Sequence, residues 1–279
     1  MTHQLQEARI NIRDGIGHVR FDPSAGMSLA IPMRFAGSQP NIYGVDYAEE
    51  RAVSTETFTG DVSRGGSCNV SRISIIPHCN GTHTECVGHI TRDRIAVSDV
   101  VVPGLIPACV VSLTPVSGDS TDDTSTPPIA SSDRVIDAGI IERALDSLPS
   151  GFLQALIVRT LPNDDTKVER HYSDNSAPFF SREAMRRIVD AGVVHLLVDL
   201  PSVDRLVDDG AMAAHRTFWG VEESTGNPET SSSVKTITEL IYVPDTVFDG
   251  PCLLDLQIPE LVTDAVPSRP VVFPVQPDA

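Results

Sequence analysis

The chain has 279 residues, 41% apolar and 21% charged, the proportions of an ordinary globular protein long enough to bury a substantial core. Its 38 acidic against 21 basic residues give a formal net charge of −17, which argues against nucleic acid and anionic membrane surfaces as partners, since both recruit Lys/Arg patches. No apolar run approaches the roughly 20 residues that span a bilayer, and residues 1–9 lack the apolar core of a signal peptide, so a cytoplasmic protein is expected.

Residues 1–65 are irregular and rich in turn formers, with a first strand or hairpin predicted around residues 10–21. Alternation over residues 70–77 predicts a strand, and residues 108–116 another. Residues 117–133 are dense in Ser, Asp, Thr and Pro and read as an exposed loop. A helix is predicted from Ser132 or Asp133 as N-cap to Leu148, with Ile136, Ile140, Ala144 and Leu148 on one face. Residues 154–161 form a strand and residues 181–191 a capped helix stopped by Gly192. Residues 193–200 are almost all apolar, as suits a strand covered on both sides. A polar stretch at residues 221–235 precedes strands at 236–243, 252–258 and 270–275. The order is α/β, and residues 1–279 read as a single domain with polar insertions at about 117–133 and 221–235.

Residues 78–89, His-Cys-Asn-Gly-Thr-His-Thr-Glu-Cys-Val-Gly-His, hold three histidines, one carboxylate and two thiols. Imidazole, carboxylate and thiolate are the ligands a divalent metal such as zinc prefers. In an extended strand His83 and Glu85 share a face, and Cys79 has their parity. His78 has the opposite parity unless a bulge at Asn80 or Gly81 shifts the register. Cys86 points away from the His83/Glu85 face and reads as a packing residue. Cys109 and Cys252 lie in apolar runs, and the odd total of five cysteines is unlike a disulfide scaffold.

Two later residues can complete a metal site. His215 lies in a segment suited to a helix or buried turn. Glu239 interrupts an apolar strand pattern, where a carboxylate is costly unless it is paired or bound to metal. The segment 199–204, Asp-Leu-Pro-Ser-Val-Asp, follows a buried strand, a common position for site loops in open α/β sheets. Each feature alone is ordinary: an exposed edge carboxylate, a helical histidine, a turn.

Together they resemble the metal-dependent cyclase family, which includes kynurenine formamidases (arylformamidases) and isatin hydrolases. Its motif, His-x-Gly-Thr-His-x-Asp-x-Pro-x-His, is similar to Gly81-Thr82-His83, the acid at 85 and His89. Leu156–Thr160, the helix before residue 192, residues 197–204, Ala214-His215 and Glu239-Leu240 follow in the family's order. The resemblance implies a swivelling β/β/α fold, a mixed sheet with flanking helices, homodimers or larger homo-oligomers, and one or two divalent metals. It implies that His83 is a ligand, that Glu85 replaces a bridging Asp, that His215 and Glu239 complete the second position, and that His89 is the general acid/base.

Three departures from the family pattern stand out. The family's first histidine falls at Cys79, so either Cys79 is a thiolate ligand, favouring zinc over manganese, or an extra residue lets the adjacent His78 reach in. Glu at 85 adds a methylene. Val87-Gly88 replaces Pro-x and is expected to loosen the turn that aims His89. The implied activity is hydrolysis of the C–N bond of a small amide or formamide, of the kind used in tryptophan catabolism. The alternatives are a lactone or cyclic-amide hydrolase, a cyclase of another metabolite, and a non-catalytic binding protein of the same fold. Met33, Phe35, Tyr43 and Trp219 are candidate substrate contacts; His3, His18, His171 and His195 are read as structural or solvent-facing.

Overall fold

The computed structural model describes residues 5–12, 15–149, 151–173, 177–222, 228 and 231–276. His3 and residues 223–227, 229 and 230 of the polar stretch expected at 221–235 lie outside these residues.

The apolar strands form the middle of the molecule. Leu105–Leu113, Ala155–Thr160, His195–Val198 and Thr236–Glu239 run parallel and adjacent, with Leu156 opposite both Cys109 and Leu196. Such strands must be covered on both faces, which accounts for their continuous apolar runs. Antiparallel strands extend the sheet at either side. On one, Gly250–Gln257 pairs with Leu105–Leu113 and leads through Arg269–Gln276 to the hairpin Gln6–Ile12/Gly15–Phe21. On the other, His83–Cys86 pairs with Thr236–Glu239, and Ala265–Pro267 follows it. Among the described residues this is a mixed sheet of 11 strands.

Leu156, Val158, Leu196, Val198 and Ile237 point to one face, where they pack with Ile140, Ile141, Met185, Ile188 and Phe218 of three helices. Ala108, Val110, Ile157 and Leu197 point to the other, against Leu29, Leu254, Val266 and Val272. The helices are Ala138–Asp146, Arg182–Asp190 and Ala213–Trp219. Ser181 caps the second by accepting from the Ala184 N–H at 3.0 Å, and Gly192 ends it at φ 85°. Among the described residues no helix is long and apolar enough to cross a membrane.

Two predicted elements differ. The helix expected from Ser132 or Asp133 starts at Ala138 with Asp137 as cap, its carboxylate accepting from Ile140 N at 2.8 Å. Val135 and Ile136 are both buried, which suits the short strand Arg134–Ile136 and not one helical stripe. The strand expected at 70–77 shrinks to Ser71–Ser74, exposed and, among the described residues, paired only with Glu49–Ala52. It is no direct lead into the histidine cluster, because Pro77 starts a helical turn, Pro77–Asn80.

Candidate metal centre

That turn decides which of residues 78 and 79 faces the site. Asn80 pins it, accepting from Ile76 N at 2.7 Å and donating to the Asp46 carbonyl at 3.1 Å. Strand parity does not apply within a helical turn, so the sequence-based reading of Cys79 is corrected. His78 turns toward the carboxylates, while Cys79 packs among Ile31, Ile42, Leu206 and Leu240. Burial and the charge of Glu239 push the Cys79 thiol up from its ordinary value. It belongs to none of the ligand groupings found among the described residues.

From residue 83 the parity argument holds. Strand His83–Cys86 places His83 opposite Glu239 and Glu85 opposite Ile237. Thr84 and Thr238 point to the other side, their hydroxyls 2.8 Å apart, and Cys86 packs into the second core. The helix Ala213–Trp219 covers the His83/Glu85 face and brings His215 down onto it.

The resulting cluster is almost dry: His83, Glu85, His215 and Glu239 are 0%, 1%, 3% and 4% exposed. Glu85 Oε1 lies 2.8 Å from His215 Nε2, and Glu85 Oε2 lies 2.9 Å from His78 Nδ1. Glu239 Oε2 is 3.5 Å from His83 Nε2, and its Oε1 is 3.6 Å from His215 Nε2.

The outer nitrogen of each ring is held by an acceptor. His83 Nδ1 donates to the Gly81 carbonyl at 2.9 Å, His215 Nδ1 to Asp204 at 2.6 Å, and His78 Nε2 to Asp264 at 3.0 Å. These acceptors assign the tautomers of the neutral rings, leaving His83 Nε2, His215 Nε2 and His78 Nδ1 with their lone pairs toward the two glutamates. His83 Nε2 and Glu85 Oε2 are buried with no hydrogen-bond partner; His78 Nδ1 approaches the latter without hydrogen-bond alignment.

Orphaned buried acceptors of this kind fit a cation. Two ligand atoms about 2.05 Å from one zinc stand about 3.3 Å apart across a tetrahedral edge, and the four separations of 2.8–3.6 Å bracket that value. Among the described residues His78, His83 and Glu85 form one ligand grouping and Glu85, His215 and Glu239 a second, with Glu85 common to both, while His78, His89 and Asp264 form a third beside them.

Without metal, charge is balanced by protons. Burial lowers the His215 pKa, but Glu85 and Asp204 outweigh it and hold the ring well above its ordinary value. Burial raises Glu85, and His89 and His215 more than reverse this, holding its carboxyl well below the usual range. Burial likewise opposes protonation of His78, and Asp264 and Glu85 push it up to about 10. A metal must therefore displace protons when it binds.

His89 sits at the end of a 3-10 turn, Val87–His89. The turn is not loosened by the absence of proline: Val87 is fully buried, and a Cβ on Gly88 would lie 2.2 Å from the Ile95 carbonyl oxygen. The His89 ring stacks on His78 with centroids 4.1 Å apart, its Nε2 4.0 Å from Glu85 Oε2. A cavity of about 520 Å³ opens over His78, Glu85, His89 and His215, with Tyr43, Ser202, Asp208 and Met212 in its wall.

Of the four candidate substrate contacts only Tyr43 lines this cavity. Trp219 packs behind His215, ring centroids 5.2 Å apart, and donates to the Lys235 carbonyl. Phe35 lines a separate surface cavity, and the Met33 methyl abuts Gly81. His18 and His171 are exposed and His195 is buried on Thr236.

Sequence reasoning missed two carboxylates. Asp204, in the loop already suspected, accepts from Ala214 N and His215 N as well as from the His215 ring, and so fixes both helix and side chain. Asp264 had no motif signal; its Oδ2 is 3.0 Å from His78 and 3.6 Å from His89 Nδ1.

A search of curated proteins finds no match. The fold is similar to that of a predicted metal-dependent hydrolase from Bacillus stearothermophilus, at 18% identity over 89% of this chain and 97% of that one, TM-score 0.54. It is similar to isatin hydrolase A from Labrenzia aggregata, solved with benzyl benzoate, at 14% identity, covering 89% and 93% of the two chains, TM-score 0.55. Isatin hydrolase A from Ralstonia solanacearum gives 14% identity, 96% and 92% coverage and a TM-score of 0.53. At these identities the likeness is one of fold. The family model described as "Putative cyclase" matches residues 3–205, which include the whole histidine motif and Asp204. The chain belongs to this cyclase family.

Proposed function

We propose that the protein is a metal-dependent hydrolase that cleaves the C–N bond of a small amide or formamide, arylformamidase-like, in the swivelling β/β/α fold implied by its family resemblance. The observation that carries the reading is the pair of buried, unpartnered acceptors His83 Nε2 and Glu85 Oε2, set among histidines whose other nitrogens are already held. His78, His83, Glu85, His215 and Glu239 would hold one or two divalent ions, with zinc favoured by the imidazole-rich set. Such an ion, when bound, lowers the pKa of water toward 7 and polarises a carbonyl oxygen.

The chain's own groups do the rest. His89, partly exposed at the cavity floor, is placed to take a proton from water and return it to the departing nitrogen, so that amide and water become carboxylate and amine. Glu239 is kept in place by the Val203 N–H at 2.8 Å. Asp204 keeps the His215 lone pair aimed inward. Tyr43, its hydroxyl donating to the Leu206 carbonyl at 2.9 Å, offers a ring face at the cavity mouth for an aryl substrate. The wild-type homo-oligomer, a dimer by the same resemblance, shares this site in each copy.

The test is zinc-loaded protein incubated with formanilide, with formate and aniline measured as products. Equimolar formate and aniline, abolished by His89→Ala with zinc retained, supports the reading. Retained zinc with no turnover of formanilide, isatin or a small lactone contradicts it and leaves a binding protein.

A further inference from the structure

The geometry points to Asp264 as a positioning residue that sets the ring orientation of both His78 and His89. The inference rests on the hydrolase reading for what those two histidines do, but not for where Asp264 stands.

Asp264 is delivered by the sheet. It immediately precedes the strand Ala265–Pro267, whose register sets Ala265 against Glu85, and its own carbonyl accepts from Cys86 N at 3.0 Å. The side chain is therefore carried to the edge of the site by main-chain pairing that does not use the carboxylate. Thr263 Oγ1 lies 3.3 Å from Asp264 Oδ1, which leaves Oδ2 for the histidines.

One oxygen addresses two rings. Asp264 Oδ2 is 3.0 Å from His78 Nε2 and 3.6 Å from His89 Nδ1. The rings stack with centroids 4.1 Å apart and planes 28° from parallel. On the opposite side, His78 Nδ1 and His89 Nε2 lie 2.9 and 4.0 Å from the single atom Glu85 Oε2. Asp264 and Glu85 are thus the two poles of a stacked imidazole pair. A carboxylate at one pole keeps N–H on the nitrogen facing it, and so leaves the other nitrogen bare. For His78 the bare nitrogen is the one that faces a metal; for His89 it is the one that must accept a proton from water. The closer contact to His78 is a formed hydrogen bond. The longer one to His89 closes with a small ring rotation, as expected of a general base without substrate.

The decisive experiment is long-range proton–nitrogen correlation NMR on histidine-labelled wild type, Asp264→Ala and Asp264→Asn, with and without added Zn²⁺. It is accompanied by zinc competition titration and formanilide kinetics. The wild type is expected to carry its His89 proton on Nδ1. Asp264→Ala should lose that preference, bind zinc roughly 10- to 100-fold more weakly, and lower kcat with KM changed less than about twofold. Asp264→Asn, whose amide oxygen still accepts, should recover part of each effect. Because the carboxylate plays no part in strand pairing, both variants should melt within a few degrees of wild type. A His89 proton on Nε2 in the wild type, or an unchanged tautomer and zinc affinity in Asp264→Ala, would overturn the proposal. Failure of the wild type to take up zinc would sink the hydrolase reading alone, since the tautomer is read in either state.

Discussion

Two clusters of buried charge lie beside the same sheet and are satisfied in opposite ways. At the end of Ala155–Thr160, Asp199 accepts from Thr160 N at 2.9 and 3.0 Å, Thr160 Oγ1 at 2.9 Å and Lys167 Nζ at 2.7 Å. Lys167 also donates to the Thr160 carbonyl at 2.6 Å, so neither charge lacks a protein partner. In the second cluster His83 Nε2 and Glu85 Oε2 have no hydrogen-bond partner, although His78 Nδ1 lies 2.9 Å from the latter. Burial does not separate the two: Asp199 and Lys167 are 2% and 4% exposed, His83 and Glu85 0% and 1%. The difference is closure. A closed network holds the scaffold together, whereas acceptors left open in an equally dry place are available to a cation from outside.

The sharpest way to break this contrast is to remove one member of each cluster. Glu85→Ala deletes the carboxylate common to two of the three ligand groupings, and should abolish zinc uptake and lower hydrolysis by about 10³-fold or more, read by elemental analysis and formate release. Lys167→Met leaves Asp199 buried without its counter-charge and should cost about 3–5 kcal/mol of unfolding free energy in urea titration, with zinc content unchanged. Equal loss of stability from both, or loss of zinc from the second, would erase the distinction.

Gly88→Ala tests the turn that aims His89 without touching a ligand. Its Cβ meets the Ile95 backbone at 2.2 Å, so the turn must shift, and kcat should fall about tenfold or more while the zinc stoichiometry holds. The last effect concerns His195, a histidine outside the cluster. Burial lowers its pKa to about 4, below the unfolded value near 6.5. The unfolded state therefore takes up the proton first. Stability from the neutral ring is complete above about pH 6.5 and is lost as pH falls toward 4, by on the order of 2–3 kcal/mol. His195→Asn should flatten that part of the pH–stability curve.

How much of this was legible depended on which physical rule set each position. His83 and Glu85 were readable because a strand alternates faces whatever surrounds it. The choice between His78 and Cys79 was not, because Pro77 turns the chain into a helical turn whose orientation comes from Asn80 and the Asp46 carbonyl. The Ile136 end of the first helix failed for a related reason, since two adjacent buried residues suit a strand. His215 and Glu239 stood out as chemistry in apolar surroundings and gained meaning from their order in the family pattern. Asp204 and Asp264 are two of 38 acids in the sequence, and only strand register and loop path single them out. Backbone strain was equally hidden. The described non-glycine residues with positive φ are Tyr43, Asp209, Met212 and Leu240. The first three line the cavity and Leu240 follows Glu239, its carbonyl held by the Thr82 hydroxyl. Strain gathered around one cavity is typical of a functional site.

The most direct test of the central claim is the zinc content of chelator-stripped protein after titration with Zn²⁺, for the wild type and His83→Ala. The account predicts uptake of about one to two equivalents per chain by the wild type, accompanied by proton release, and loss of at least one grouping in the variant. A wild type that takes up no zinc, or a variant that takes up as much, would contradict it.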